Sequence, residues 1–304
     1  MAAERVALLL MAYGGPGSLD EVEPYLLDVR GGRPTSPELV AEIKQRYAQI
    51  GGRSPIRELT EAQAAGVQRA LGDRFMVYVG MRHWHPYIRD VIERVVADGH
   101  RRLIGIVLAP HYSAMSVGAY QQRLLRAAAG RLATALVDRW GSQPKFLEAV
   151  AARVDGALQR FPARRSVQVL FTAHSLPERI LAARDPYCDE LRTSAAAVAQ
   201  RSGLAAWHLA FQSAGATPEP WLGPEAGALM TELVRAGHRA FLIVPIGFVC
   251  DHVEILYDVD IVYRSLAQRL GVRLERTPSL NDDPLLVGAV ADIALEAAAA
   301  RSWI

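Results

Sequence analysis

Two segments of this chain carry residue types that can do proton and metal chemistry. Phe171-Thr-Ala-His174-Ser-Leu-Pro177 ends an apolar run on an imidazole, and Gly247-Phe-Val-Cys-Asp251-His-Val-Glu254-Ile-Leu-Tyr257-Asp258 supplies carboxylates. A neutral imidazole, with an ordinary pKa near 6.5, accepts a proton or ligates a metal. Glu254, Tyr257 and Asp258 stand at i, i+3 and i+4, so a helix presents them on one face, and Asp251 extends that face by one turn. The plain reading is a capping histidine and a solvated acidic face near a helix start. Phe248, Val249, Val253, Ile255 and Leu256 weigh against it, because carboxylates among apolar side chains are costly unless they bind protons or cations. A histidine facing such a row suits removing protons from a ligand while handing it a hard cation.

Further candidates follow other apolar runs. Tyr13 lies in Ala12-Tyr-Gly-Gly-Pro-Gly17, where the glycines suit a tight turn and close ligand approach. Packing on or ligating at a flat ligand, and closing the core, stand level for it. Neither a Walker lysine nor the dinucleotide glycine spacing is present. Arg30, Arg33, Arg46 and Arg53 fall close together around the loop Gly51-Gly-Arg-Ser54-Pro55. Each alone reads as a surface arginine; together their guanidinium groups can seat acidic substituents. In His83-Trp84-His85 the first histidine is the better cleft candidate, whereas His100, His208 and His238 read as structural. Ser175 has no G-x-S-x-G elbow around it, which argues against a hydrolase.

These residues need elements to hold them. Near-continuous apolar runs at Val6–Ala12, Phe75–Val79, Leu103–Ala109, Ala133–Val137, Val167–Ala173, Ala205–Phe211 and Ala240–Ile246 predict buried parallel strands. Between them, amphipathic stretches predict helices at Pro37–Ile50, Glu58–Leu71, Pro86–Asp98, Val117–Ala129, Lys145–Arg160, Asp189–Ser202, Ala226–Ala236 and Asp251–Leu270. Such alternation gives an α/β fold with right-handed crossovers. The halves are weakly alike: a strand leads into Ala12-Tyr13 in one and Ala173-His174 in the other. Likewise Pro110-His111 precedes a helix carrying Tyr120, and Pro245-Ile246 one carrying Tyr257. Two doubly wound domains, 1–140 and 141–304, are therefore expected around a cleft, with ligands at the carboxyl ends of the strands.

Composition bounds the partners. The 304 residues are 51% hydrophobic and 22% charged, as for a well-cored protein, and a net charge of +2 gives no footprint for nucleic acid. Cys188 and Cys250 match no zinc spacing and cannot by themselves hold an iron–sulfur cluster. Reduced thiols in a cytoplasmic protein are the plainer reading, and a disulfide between the two stays open. No apolar run reaches spanning length, so membrane contact is at most peripheral.

Met11-Ala-Tyr13-Gly, Ile50-Gly-Gly-Arg-Ser54-Pro, Val107-Leu-Ala-Pro-His111-Tyr, Thr172-Ala-His174-Ser-Leu-Pro, Pro220-Trp-Leu-Gly-Pro224 and Val249-Cys-Asp-His-Val-Glu254-Ile-Leu-Tyr-Asp258 occur in this order. Along nearly its whole length the chain thus resembles the ferrochelatases. The resemblance implies two Rossmann-like, chelatase-type domains with four-stranded parallel sheets, the last helix packing back on the first domain. It also implies insertion of ferrous iron into a porphyrin in haem biosynthesis, a reaction in which two pyrrole protons leave as the metal enters. His174 and Glu254 match the family's catalytic pair. Asp258 matches the next member of its acidic row, and Tyr13 a tyrosine close to the metal. Arg30, Arg46, Arg53 and Ser54 resemble contacts to porphyrin propionates, with His83 and Tyr120 also expected at the substrate. Arg82 replaces a lysine sometimes seen there, and Val262 stands where a further carboxylate is common, which puts a secondary metal site in doubt. Tyr13 and the short 18–37 segment favour the branch acting on coproporphyrin III. The implied enzyme is a monomer with iron as substrate, no tightly bound cofactor and no iron–sulfur cluster, passing its product to a later haem-synthesis enzyme. A protoporphyrin IX chelatase, a cobalt or nickel chelatase of the same fold, and a non-catalytic haem-binding protein remain alternatives.

Overall fold

A computed structural model describes residues 5–215 and 217–304; residues 1–4, where the expected first domain begins, lie outside it. Among the described residues eight strands form two sheets. In the first half β1 (Val6–Ala12), β2 (Phe75–Met81), β3 (Arg102–Val107) and β4 (Ala133–Val137) lie in the order β2-β1-β3-β4. In the second, β5 (Gln168–His174), β6 (Trp207–Gln212), β7 (Ala240–Val244) and β8 (Arg273–Arg276) repeat it as β6-β5-β7-β8. All pairings are parallel. A strand flanked by neighbours and covered on both faces has no solvated side, which is why β1 is apolar and buried at every position.

Helices make the crossovers. Between β1 and β2 run α1 (Val22–Val29), α2 (Pro37–Gln49) and α3 (Ile56–Leu71); α4 (Ile88–Ala97) and α5 (Val117–Ala128) serve the next two connections. After α6 (Pro144–Leu158) joins the halves, α7 (Arg179–Ala182), α8 (Tyr187–Arg201) and α9 (Ala226–Arg235) follow. The short α10 (Val253–Leu256) and α11 (Arg264–Arg269) lead to β8, and α12 (Pro284–Ala299) closes the chain. Ser36-Pro37, Gln143-Pro144 and Asp283-Pro284 start α2, α6 and α12 alike: a side-chain oxygen accepts from an N–H of the first turn, and proline fills a position whose donor has no partner.

The halves share one core. A single apolar cluster includes Val6 and Leu8 of β1, Phe146 of α6, Phe171 of β5 and Ala294 of α12. Helix α12 packs on α3 and α6 and touches β3 and β4, while Gln63 of α3 donates to the Asn281 carbonyl at 2.7 Å. Trp140 and Gly141, at the expected domain boundary, both donate backbone N–H groups to the Pro110 carbonyl at 2.9 Å.

Two expectations need correction. The continuous helix Asp251–Leu270 is broken: α10 starts only at Val253, and Asp258–Tyr263 is π-helical. The Tyr257 carbonyl accepts from Ile261 N at 3.1 Å and from Val262 N, five residues on, at 3.0 Å. Asp251 therefore does not extend the acidic face. Its carboxylate accepts from Ser279 Oγ at 2.6 Å and Asn281 Nδ2 at 3.0 Å, and lies 3.4 Å from Arg276 of β8. Those partners hold it outside the row that starts at Glu254. Strand β8 itself was not anticipated, because Arg273-Leu-Glu-Arg276 is an edge strand without an apolar run.

Candidate active site

His174 is the last residue of β5, paired in register with Gln212 at the end of β6. Its Nδ1 donates to the Ser175 carbonyl, which leaves Nε2 as the unprotonated nitrogen of the neutral ring. The segment is clamped: the Tyr187 hydroxyl donates to the His174 carbonyl at 3.0 Å, and Ser175 Oγ to the Leu222 carbonyl at 2.9 Å. Glu254 arrives from the loop after β7. There Gly247 packs so tightly that a Cβ would sit 2.5 Å from Ala173 Cβ and 2.8 Å from Ala173 Cα. One residue ties the two segments together: the Gln212 side-chain Nε2 donates to the Glu254 carbonyl at 2.8 Å, and its backbone carbonyl accepts from Ser175 N at 2.7 Å.

The result is a carboxylate between two imidazoles. His174 Nε2 lies 3.6 Å from Glu254 Oε1, and His252 Nε2 lies 3.8 Å from Glu254 Oε2. Neither separation is a hydrogen bond, and buried Oε2 has no hydrogen-bond partner. Burial pushes the Glu254 carboxyl up, but the facing His174 and His252 outweigh it and hold it below the usual glutamate value. His252 moves the other way: burial opposes its charge, yet the Glu254 carboxylate and the Cys250 carbonyl, which accepts from Nδ1 at 3.0 Å, keep it above the ordinary imidazole value. An ionised carboxylate with an uncommitted oxygen, flanked by bases, can pass protons or bind a cation briefly. Among the described residues no group of three or more His, Cys, Asp or Glu is gathered to hold a metal ion.

Both halves wall the space in front of this pair. A cavity of about 300 Å³ is lined by Tyr13, Ser54 and Tyr120 from the first half and by His174, His252 and Glu254 from the second. That volume falls in the range of ligand pockets. Tyr13 is 38% exposed, its ring 4.7 Å from that of His83. Burial, partly offset by Arg82, pushes its phenol up to about 12. The Arg82 guanidinium lies over the Tyr13 and Tyr120 rings at 5.9 and 5.2 Å. His83 stands behind, buried, its Nδ1 2.9 Å from Asp28 Oδ2. Burial, with Arg82 and Arg123 nearby, lowers it to about 4 despite that carboxylate, so the ring is neutral and donates to Asp28.

The remaining candidates stand further out. Asp258 accepts from Ser213 Oγ, and burial raises its carboxyl, helped by Glu254 and countered by Ser213 and Arg46. Arg46 lies over the Tyr257 ring at 5.4 Å and pairs with Glu42 at 2.5 Å. Arg53 is exposed and pairs with Glu58 at 2.6 Å, Arg30 is exposed just after α1, and Val262 faces solvent. None of Arg30, Arg46, Arg53, His83 or Asp258 lines the cavity. Sequence reasoning passed over His252, which spacing hides. Two residues before Glu254 it would point away on a helix, but it precedes α10 in an extended conformation, φ −161° and ψ −177°, and so turns toward the carboxylate. Gln212 and Ser213 were also missed; their one signal was position, directly at a strand end.

Comparison with known proteins agrees with this geometry. The ferrochelatase family model matches residues 5–298. A ferrochelatase from Herpetosiphon aurantiacus is 46% identical over 93% of this chain and 96% of its own. A coproporphyrin III ferrochelatase from Geobacillus thermodenitrificans is 39% identical over 97% of each chain. Among solved structures, SirB from Bacillus subtilis, determined with Fe3+, superposes with a TM-score of 0.62 over 98% of this chain and 97% of its own. CbiX, described as the terminal enzyme of sirohaem biosynthesis in denitrifying bacteria, does so with a TM-score of 0.58 over 96% and 99%. At 13% and 17% identity these two speak for the fold alone. With two parallel four-stranded sheets meeting at an imidazole–carboxylate pair, and a match across nearly every residue, the chain belongs to the ferrochelatase family.

Proposed function

We propose that the chain inserts ferrous iron into coproporphyrin III, giving coprohaem for haem biosynthesis. Two pyrrole N–H bonds break, each nitrogen keeps its electron pair and donates it to the iron, and two protons leave; the metal stays ferrous. The observation that carries this reading is the 3.6 Å approach of His174 Nε2 to a Glu254 carboxylate flanked on its other side by His252. His174 Nε2 takes one proton, and the Glu254–His252 pair takes or relays the other. With Asp258 beyond Glu254, the carboxylates also offer the hard oxygen donors that a divalent ion meets on its way. Tyr13 and Tyr120 pack the macrocycle from the opposite half, and Arg46 with Ser54 seats propionates. General-base action of this kind supplies about 10²–10⁴-fold, so positioning of the ring supplies the rest.

Support for coproporphyrin comes from several relatives of that name at 36–39% identity. The test is anaerobic turnover with Fe(II) and each porphyrin side by side, followed by the Soret shift. Higher kcat/KM with coproporphyrin III is expected. A preference for protoporphyrin IX replaces the substrate, and absence of insertion into either overturns the enzymatic reading in favour of a haem-binding protein.

A further inference from the structure

A second cavity, about 800 Å³, is lined by Arg82, Arg89, Arg123 and Arg126 against a single carboxylate, Asp28. That carboxylate is already engaged by His83. The one carboxylate paired with Arg89 among the described residues is Asp90, at 3.2 Å with both side chains more than half exposed, a weak pair, and its guanidinium lies over the Tyr87 ring at 4.9 Å. Arg123 donates to the Arg82 carbonyl, Arg82 Nη1 reaches the Met115 carbonyl at 3.5 Å, and Arg82 Nε is buried with no hydrogen-bond partner. Among the described residues no carboxylate pairs with Arg82, Arg123 or Arg126.

Gathered cations with one occupied counter-charge repel each other. Burial and the Arg82 charge together pull the half-buried Arg123 below the ordinary guanidinium value. An anion completes such a cluster, and the planar fork of donors matches carboxylates. Arg82 also lines the reaction cavity, its guanidinium over the Tyr13 and Tyr120 rings. A ligand lying against those rings therefore meets the arginine groove at Arg82. Gly31 and Gly32 form another part of the groove wall, next to Arg30. A porphyrin bearing four propionates has two more acids to place than one bearing two.

We propose that the arginine groove is a carboxylate subsite that receives acidic side chains of the macrocycle beyond those seated near Arg46 and Ser54, and that it sets the preference for a tetra-acid over a di-acid porphyrin. This rests on the coproporphyrin reading above and deepens it. The test uses Arg126→Gln, an exposed side chain that lines the groove but not the reaction cavity, with Arg123→Gln as the second variant. Binding of coproporphyrin III and protoporphyrin IX is measured without iron by fluorescence quenching.

Arg126→Gln should weaken coproporphyrin binding about tenfold, as for loss of a charge-assisted contact, and leave protoporphyrin binding unchanged. Raising salt should shrink the difference between the two porphyrins in the parent protein. Equal shifts for both porphyrins, or none in either variant, overturn the subsite. Citrate serves as a free polycarboxylate probe. Stabilisation by citrate that Arg126→Gln removes, with coproporphyrin affinity unchanged, makes the groove a separate anion site and also overturns the proposal. Failure of the substrate reading looks different: the parent protein itself then turns over protoporphyrin IX better.

Discussion

The two halves of the molecule are built on one plan and deliver opposite chemistries. β1 and β5 hold equivalent places in sheets of identical order, and each ends at the cavity. After β1 comes Tyr13, backed by Arg82 and neutral His83 at the end of β2. At the end of β5 stands His174, backed by Gln212 and Ser213 at the end of β6, with Glu254 arriving after β7. The first half thus offers flat rings and cations, the second a proton acceptor and carboxylates. Strand ends fix where a side chain points, while the loops decide what it is. The imidazole–carboxylate group is therefore complete within the second half, and the first supplies the rings and the cation that face it across the cavity.

Equivalent substitutions in the two halves should then differ sharply. His174→Ala removes the base and should lower turnover by about 10²–10⁴-fold, with porphyrin affinity little changed. Tyr13→Phe, at the matching strand end, removes one hydroxyl from a binding wall. It should cost no more than about tenfold, the scale of a single hydrogen bond. Single-turnover insertion rates and porphyrin titration of both variants make the comparison. Near-parental turnover in His174→Ala would break the division of labour described above.

Much of this plan was readable in the residues. β1 and β4 were bounded as found, and seven strands of the eight end within two residues of the expected ends, because a strand covered on both faces must be an apolar run. β8 escaped because an edge strand needs no such run, and α1 because it buries only Val22 and Tyr25, too short a face to read as a period. Glu254, Tyr257 and Asp258 were grouped by helical spacing, but spacing presumes a regular helix. Starting the helix at Val253 frees His252 to turn toward Glu254, and the π-helical turn after Tyr257 shifts everything beyond it. Neither event has a signature in composition. Asp251 fits the same lesson, its carboxylate being claimed by Ser279 and Asn281, some 30 residues away in sequence.

The second half also depends on one close backbone approach that the first makes differently. Gly247 leaves no room for a Cβ against Ala173, one residue before His174. Gly247→Ala must push the β7 loop away from β5, and overpacking of this kind costs about 1–3 kcal/mol. Urea unfolding should show the loss, and turnover should fall with it, since the same loop carries Glu254. In the first half a Cβ on Gly14 would sit 2.9 Å from Trp84 N, and φ there is +93°, so the addition is opposed by conformation as well as by space. A Gly247→Ala protein that is destabilised yet fully active would separate loop position from catalysis.

The smallest expected effect concerns a histidine that joins the halves and lines the same cavity as the proposed His174–Glu254 pair. His111, after β3, is buried and lies 2.9 Å from Ser194 of α8. The Ser194 hydroxyl donates to the Gly141 carbonyl at 2.8 Å, so its oxygen accepts from His111 Nε2–H. Nδ1 is then the lone-pair nitrogen, buried and without a partner. Protonation there would create a buried charge and an unmet donor at once, and burial lowers His111 to about 3. The unfolded chain takes up this proton near pH 6.5 and the folded chain does not. Between those values the unfolded state binds more protons, so stability rises with pH and is lost on acidification. One such group contributes at most about 1.4 kcal/mol per pH unit. His111→Gln, which keeps an N–H for Ser194, should flatten the urea-measured stability profile between pH 6.5 and 4 by up to that slope. His83, lowered to about 4 in the first half alone, should leave a residual slope of the same sign. An unchanged profile in His111→Gln would mean that the proton is tolerated at the junction, and that the halves are held there by packing instead.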